Sequence, residues 1–540
     1  MPMEEQSSPS SIKRWCLALA LFIATLLIVG ATLRDYGVSW DEPPYYHASD
    51  LHAQWLAQLP GNLLAGKLKE SIDDKNVVAA WHWNPYHVPH PPFSRIVSGL
   101  LKHWLHPTLD KVTAYRLAPA LFFAVLVTVM FLWMSAVFDV STGLFSALAL
   151  ILVPNLFGYA HLAVTDMPLA MLWFLVALCF YKGLGDWRWS VCFGVAWGLA
   201  LATKFPALLI PVPLILWTHV FHRHRYSNNV FCMLFIAPIV MIAVQPYLWH
   251  QTGVRLVEFL YEGFSRGYRP ETSFTVFYDG QYFLSHQLPR YYPFLVVAIT
   301  TPLPHLLLAA IAPIRLPGHR EQRNAVGFFA LNALFVLSLG LMPGAVLHDG
   351  VRQLLSALPF LVALSGVGFF VSVQQVSSVC KRLKLETRMR VTRPSVAGIL
   401  LAVLCLSPGL DVLLTHPYQL SYYNSLVGGV RGAYRRGLEM SYFMEAINED
   451  FLRQMNETLP KNAVVYGSFA TFMFEYYQRE QILRDDLRFV EKGPFDFMAL
   501  LNRRSQLQPK ELVMMNGSSQ PIFWAGVGPV PLVSVFDARK

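Results

Sequence analysis

The stretch WCLALALFIATLLIVGATL at residues 15–33, followed by SWDEPPYYH at 39–47, decides how this chain is read. The first run is almost wholly apolar and long enough to cross a bilayer, which takes about 20 helical residues. No small-residue cleavage pattern follows before Arg34 and Asp35, so the run reads as an anchor rather than a removed leader. Just behind it stand two acids, Asp41 and Glu42, among aromatics and prolines. Carboxylates at a membrane surface, in that company, point to a site working on something held in the lipid.

Composition agrees with this setting. The chain has 540 residues, 54% hydrophobic and 14% charged, where a soluble protein would carry roughly a quarter charged. Eleven apolar segments read as spans, near 15–33, 116–138, 141–158, 164–182, 189–204, 206–221, 230–248, 292–314, 324–343, 353–374 and 396–414. Basic residues mark one set of connections: Lys13 and Arg14, Arg188, Arg223 and Arg225, then Arg315, Arg320 and Arg323. The richest connection holds Lys381, Arg382, Lys384, Arg388, Arg390 and Arg393. The positive-inside rule then predicts a cytoplasmic N-terminus, with 34–115, 249–291 and 415–540 on the outer side. The net charge of +9 sits in these short loops, so no nucleic-acid partner is expected. None of the six cysteines falls in an external segment, and no disulfide framework is implied.

The expected organisation is a cytoplasmic tail at 1–14, disordered at 1–10, a membrane domain at 15–414, and a small extracytoplasmic α/β domain at 415–540. In that last part, 462–467, 487–490, 512–515 and 530–535 read as strands, with helices at 470–479 and 495–501. The outer loop 34–115 carries WHWNPYHVPHPPF at 81–93, then an amphipathic run from Phe93 to Leu105 that reads as a helix lying on the membrane. Arg95 in its first turn is placed to meet a lipid phosphate. Asp166 opens the fourth span, Lys204 lies at the next outer turn, and HDGVRQ at 348–353 opens the tenth. Two carboxylate centres and several cations thus gather on one face. Each residue also has a plainer reading: a solvated loop acid, or a cation anchoring a helix end at the interface. His47, His82, His87 and His90 suggest a divalent cation, yet they lack the helical pairing or fixed spacing of a metal motif.

The Asp41-Glu42 pair, the His90-Pro91-Pro92 opening of the surface helix and the turn Thr165-Asp166-Met167-Pro168 resemble the GT-C glycosyltransferases. HDGVRQLLSALPFL at 348–361 and HPYQLSYYNSLVGGVRGAYRRGLEMSYF at 416–443 are similar to bacterial members of the protein O-mannosyltransferase-like and lipid A aminoarabinose-transferase-like group. The likeness runs from about 15 to 445; Gln353 stands where that group's pattern has histidine. It implies a GT-C-like α-helical polytopic membrane protein of about eleven transmembrane helices. It also implies transfer of a sugar from a polyprenyl-phosphate carrier to an acceptor protein, lipid or glycan outside the cytoplasm, with membrane lipids as surroundings and a bacterial inner membrane as the place. Such a reaction needs a base for the acceptor hydroxyl and cations for the departing phosphate. Asp41 is the expected base, with attack opposite the phosphate inverting the anomeric centre. Glu42, Asp166 and His90 are expected to orient acceptor or sugar, and Arg95, Lys204 and Arg352 to bind phosphate. The competing classes are a transporter or flippase, against which no repeated half-structure and few mid-membrane charges stand, and a structural adaptor.

Overall fold

The computed structural model describes residues 9–82, 90–221, 226–269, 273–384, 392–517 and 519–539, without side-chain description for 9–11. The readings made at 1–8, 83–89, Arg223, Arg225, Arg388 and Arg390 lie outside these residues. All eleven apolar segments are helical, and among the described residues six helices are long and apolar enough to cross a membrane: Ile12–Ala31, Lys111–Val137, Asp166–Gly183, Ser227–Val244, Arg352–Arg382 and Arg393–Thr415. The chain is a multi-pass membrane protein.

Of the remaining segments, 324–343 falls largely in the continuous 20-residue helix Arg320–Leu339; the others are shorter or broken, and proline is the reason in three of them. Segment 141–158 divides into Val140–Ile151 and Pro154–Tyr159, and 292–314 into Tyr292–Thr300 and Leu303–Ile314 around Pro302. Segment 206–221 starts with a 3-10 turn at Phe205–Leu209 and resumes as an α-helix at Pro211. In each case the ring removes an amide donor, and before Pro154 and Pro302 the preceding residue, Val153 or Thr301, is extended. The helix that starts at Leu358 and runs to Arg382 is buried almost throughout its apolar length. It packs against Leu303–Ile314 so closely that a Cβ on Gly368 would lie 2.0 Å from the Leu308 carbonyl oxygen.

Segment 34–115 contains a 23-residue helix, Glu42–Leu64, that the sequence reading does not anticipate. Pro43 and Pro44 start it, because a first-turn proline loses no hydrogen bond. The expected helix Phe93–Leu105 has those same bounds, and Gly99 lets it approach Glu42–Leu64; a side chain there would meet the Ser49 carbonyl at 2.2 Å.

The C-terminal part carries a five-stranded mixed sheet in the order Arg488–Val490, Val464–Tyr466, Phe497–Leu501, Val530–Asp537, Phe523–Val527. The first three pair in parallel and the last three antiparallel. Two expectations need correcting. Residues 497–501 are a strand, not a helix: FMALL is buried at every position, and a strand covered on both faces shows no alternation. Residues 509–516 are a helix, not a strand, opened by Pro509 and a capping box between Gln508 and Glu511.

Candidate active site

Turns at one end of the bundle bring Asp41, Asp166, Lys204 and Arg352 together. Arg352 is the hub. Its guanidinium donates from Nη2 to Asp41, from Nε to Asp166 at 3.3 Å and from Nη1 to Asp349 at 3.1 Å. A planar fork with five N–H donors can serve three carboxylates at once. Its face lies 4.6 Å from the Phe443 ring. Lys204 donates to the second oxygen of Asp166 at 2.7 Å. Asp349 is further held by His348 Nδ1 at 2.7 Å and by an ion pair with Arg503 at 2.9 Å. Three carboxylates thus face three basic side chains, Arg352, Lys204 and Arg503, a balance a buried cluster needs to avoid a large desolvation penalty. Burial pushes the Asp349 carboxyl up, but His348, Arg503 and Arg352 more than offset this and hold it far below the usual carboxylate range.

The three acids differ in access. The side chains of Asp166 and Asp349 are 1% and 0% exposed, whereas that of Asp41 is 28% exposed. Asp41 is the carboxylate of this cluster that an incoming molecule can reach.

Glu42, its neighbour, points elsewhere. It is fully buried, takes two hydrogen bonds from Arg116 at 2.8 and 2.7 Å, and accepts from Tyr46 and from the amides of Ser39 and Ala163. Arg116 also donates to the carbonyls of Leu33, Tyr36 and Gly37. Burial raises the Glu42 pKa and Arg116 outweighs it, so Glu42 stays ionised. Both its oxygens, expected to orient acceptor or sugar, are committed inside the protein; Glu42 ties the end of the first span to the start of the helix that follows Asp41.

Arg95, expected to bind phosphate, faces inward. It is buried, donates to the carbonyls of His90 and Pro91, and lies 5.2 Å from the Tyr45 ring. It fastens the loop beside the cluster. His90 packs edge-on to Tyr45 at 6.2 Å. Burial, then Arg95, Arg266, Lys204 and Arg352, keep its imidazole neutral. Burial and the nearby Asp41 push the Tyr45 hydroxyl up to about 12. Among the described residues no three His, Cys, Asp or Glu side chains gather as metal ligands, and His87 lies outside them. His47 is exposed on the Glu42–Leu64 helix.

Asp349, Arg116, Arg266 and Arg503 were not singled out from sequence. Arg116 carried a readable signal, an ionisable residue at the edge of an apolar span. Arg266 is close enough to His90 and Lys204 to perturb both. Arg503 had no signal, since it follows a strand in a distant part of the chain.

Residues 104–250 match the family described as dolichyl-phosphate-mannose-protein mannosyltransferase. That match supports the GT-C resemblance carried by the motifs, over just over a quarter of the chain. Solved structures with similarity include ArnT from Cupriavidus metallidurans in the apo state, at 15% identity and TM-score 0.48, covering 96% of this chain and 97% of that one. The same protein bound to undecaprenyl phosphate gives 16% and 0.49, with the same coverage. The archaeal oligosaccharyltransferase AglB from Archaeoglobus fulgidus, in complex with an inhibitory peptide and a dolichol-phosphate, gives 12% and 0.45, covering 89% of this chain and 61% of that one. A comparison with curated protein sequences gives no match.

Proposed function

We propose that this protein is an inverting glycosyltransferase that moves a sugar from a polyprenyl-phosphate carrier to an acceptor hydroxyl at the outer face of a bacterial inner membrane. The observation that carries the reading is the reachable carboxylate of Asp41 standing on the same guanidinium as buried Asp166, with Lys204 beside it. The family match over 104–250 supports the reaction class.

In the resting cluster the Asp41 carboxylate is occupied by its ion pair with Arg352. An arriving phosphodiester competes for Arg352 and Lys204, because both are strong phosphate donors. Asp41 is then released to accept the acceptor's hydroxyl proton. The acceptor oxygen bonds to the anomeric carbon from the side opposite the phosphate. The sugar–phosphate bond breaks, its electron pair leaves with the phosphate, and the carrier gains one negative charge. Lys204 and Arg352 meet that charge as it develops, the interaction that lowers the barrier. Asp166 holds both cations in register, and His90 and Tyr45 border the acceptor side. Arg95 supports them by fixing the 90–91 backbone. In this reading 1–14 is cytoplasmic, 15–414 is the membrane catalytic domain, and 415–540 is extracytoplasmic.

The test is mass spectrometry of envelope lipids and proteins from cells with and without the gene. The reading expects one species to lose a hexose-sized or pentose-sized unit while its lipid-linked sugar donor accumulates. Unchanged glycan masses together with altered lipid or solute flux would replace it with a transporter.

A further inference from the structure

We infer that the C-terminal sheet domain completes the site by lending it Arg503, a positioning residue that fixes Asp349 and through it the fork of Arg352. The inference rests on the transferase reading only for its kinetic consequence; the placement stands on geometry.

Arg503 follows the central strand Phe497–Leu501, and its amide turns back onto the Leu501 carbonyl at 2.7 Å. From there the side chain enters the membrane domain and is buried. It pairs with Asp349 at 2.9 Å, donates to the Tyr442 carbonyl and stacks 4.2 Å from the ring of Trp40, the residue before Asp41. One guanidinium therefore joins three segments far apart in sequence. A buried arginine is costly unless its charge is met, and Asp349 meets it.

The turn that carries Asp349 needs such a tie. Asp349 and Gly350 both hold left-handed backbone, at φ 58° and 61°. That conformation is uncommon for a residue with a side chain and persists where surrounding contacts enforce it. A Cβ on Gly350 would sit 3.0 Å from the Tyr442 ring, so the turn is closed against the same residue whose carbonyl holds Arg503. Asp349 shares its Oδ2 between His348 and Arg352, while Arg503 faces the other oxygen. Without Arg503, Asp349 would draw on Arg352 alone among arginines and pull the fork away from Asp41. The backbone of 504 and 505 has its own anchor, since both amides donate to Glu439 at 2.6 and 3.1 Å. Loss of the Arg503 side chain should thus leave the sheet docked.

The experiment uses the full-length protein in lipid nanodiscs, with Arg503→Met, Arg503→Lys, Asp349→Asn and the Arg503→Met/Asp349→Asn double variant. Hydrogen exchange should rise several-fold at 348–353 in Arg503→Met and stay unchanged in the sheet. In the transfer assay kcat should fall about tenfold to a hundredfold with acceptor KM within about twofold. Arg503→Lys should recover part of it. The double variant should be no slower than Asp349→Asn by more than about threefold, since the two act as a unit. If Arg503→Met does not accumulate, Arg503→Lys decides by the same exchange and rate measurements. Unaltered exchange at 348–353 with additive rate losses would overturn the inference. Altered exchange in a protein that transfers no sugar would keep the positioning and remove the transferase reading.

Discussion

Asp41 and Glu42 are neighbours in sequence and belong to two opposite kinds of ion cluster. Glu42 sits in a closed knot with Arg116, both side chains 0% exposed and every oxygen engaged within the protein. Asp41 sits in an open cluster, with a partly exposed carboxylate on a shared guanidinium. The closed knot fixes a corner of the fold. The open cluster has partners that a charged ligand can exchange. The difference teaches that charge near a membrane surface is not the functional signal; unequal access within a charge-balanced group is.

Breaking the closed knot should have the largest effect on stability. Arg116→Met strands a buried carboxylate, at a cost of about 3–5 kcal/mol. Denaturation in detergent should show the loss, together with poor accumulation in the membrane. A near-normal melting profile would mean that Glu42 is not held as a buried ion.

In the open cluster, Lys204→Met should leave the fold intact and lower kcat/KM for the donor by about tenfold to a hundredfold, through loss of one charged phosphate contact. Steady-state kinetics with donor varied checks this, and an unchanged donor KM and kcat would take Lys204 out of the site.

Glu445 lies behind both clusters and sharpens the comparison through pH. It is buried, takes the Phe443 amide at 3.0 Å, and its other oxygen has no hydrogen-bond partner among the described residues. Burial pushes it from 4.5 up to about 7, partly opposed by backbone hydrogen bonds and Arg503. A raised carboxyl favours the folded state when protonated, so its contribution is full below about pH 4.5 and is lost as pH rises through 7. Glu445→Gln should flatten stability across that window and stabilise the protein at pH 8 by about 1–3 kcal/mol. Thermal denaturation at several pH values reads the slope.

The smallest effect belongs to an exposed pair. Arg34 and Glu449 lie 3.2 Å apart with side chains 60% and 49% exposed. Arg34→Ala should change stability by no more than about 0.5 kcal/mol, which calibrates the others.

Much of this was legible in the sequence. The apolar segments fold as helices, and Asp41, Asp166, Lys204 and Arg352 converge because each stands at the end of an apolar segment on one side of the bundle. What could not be read is the direction of a side chain inside a loop. Nothing in Asp41-Glu42 says that the second residue turns under the helix it begins, since adjacent residues at a helix start diverge by roughly a hundred degrees. The burial of Arg95 could not be read because an amphipathic pattern marks a face without saying what covers it. Arg503 was invisible because its partners lie at 40, 349 and 442, contacts that no local pattern encodes. In the C-terminal sheet the errors at 497–501 and 509–516 came from short apolar runs, for which strand and helix patterns coincide.

The most direct test of the account is Asp41→Asn beside wild type, assayed for sugar transfer and, separately, for binding of the polyprenyl-phosphate carrier. The account predicts a fall in kcat of about a hundredfold to ten-thousandfold, with normal expression and carrier affinity unchanged or tighter, because Arg352 loses a competing carboxylate. Transfer at the wild-type rate in that variant would contradict it.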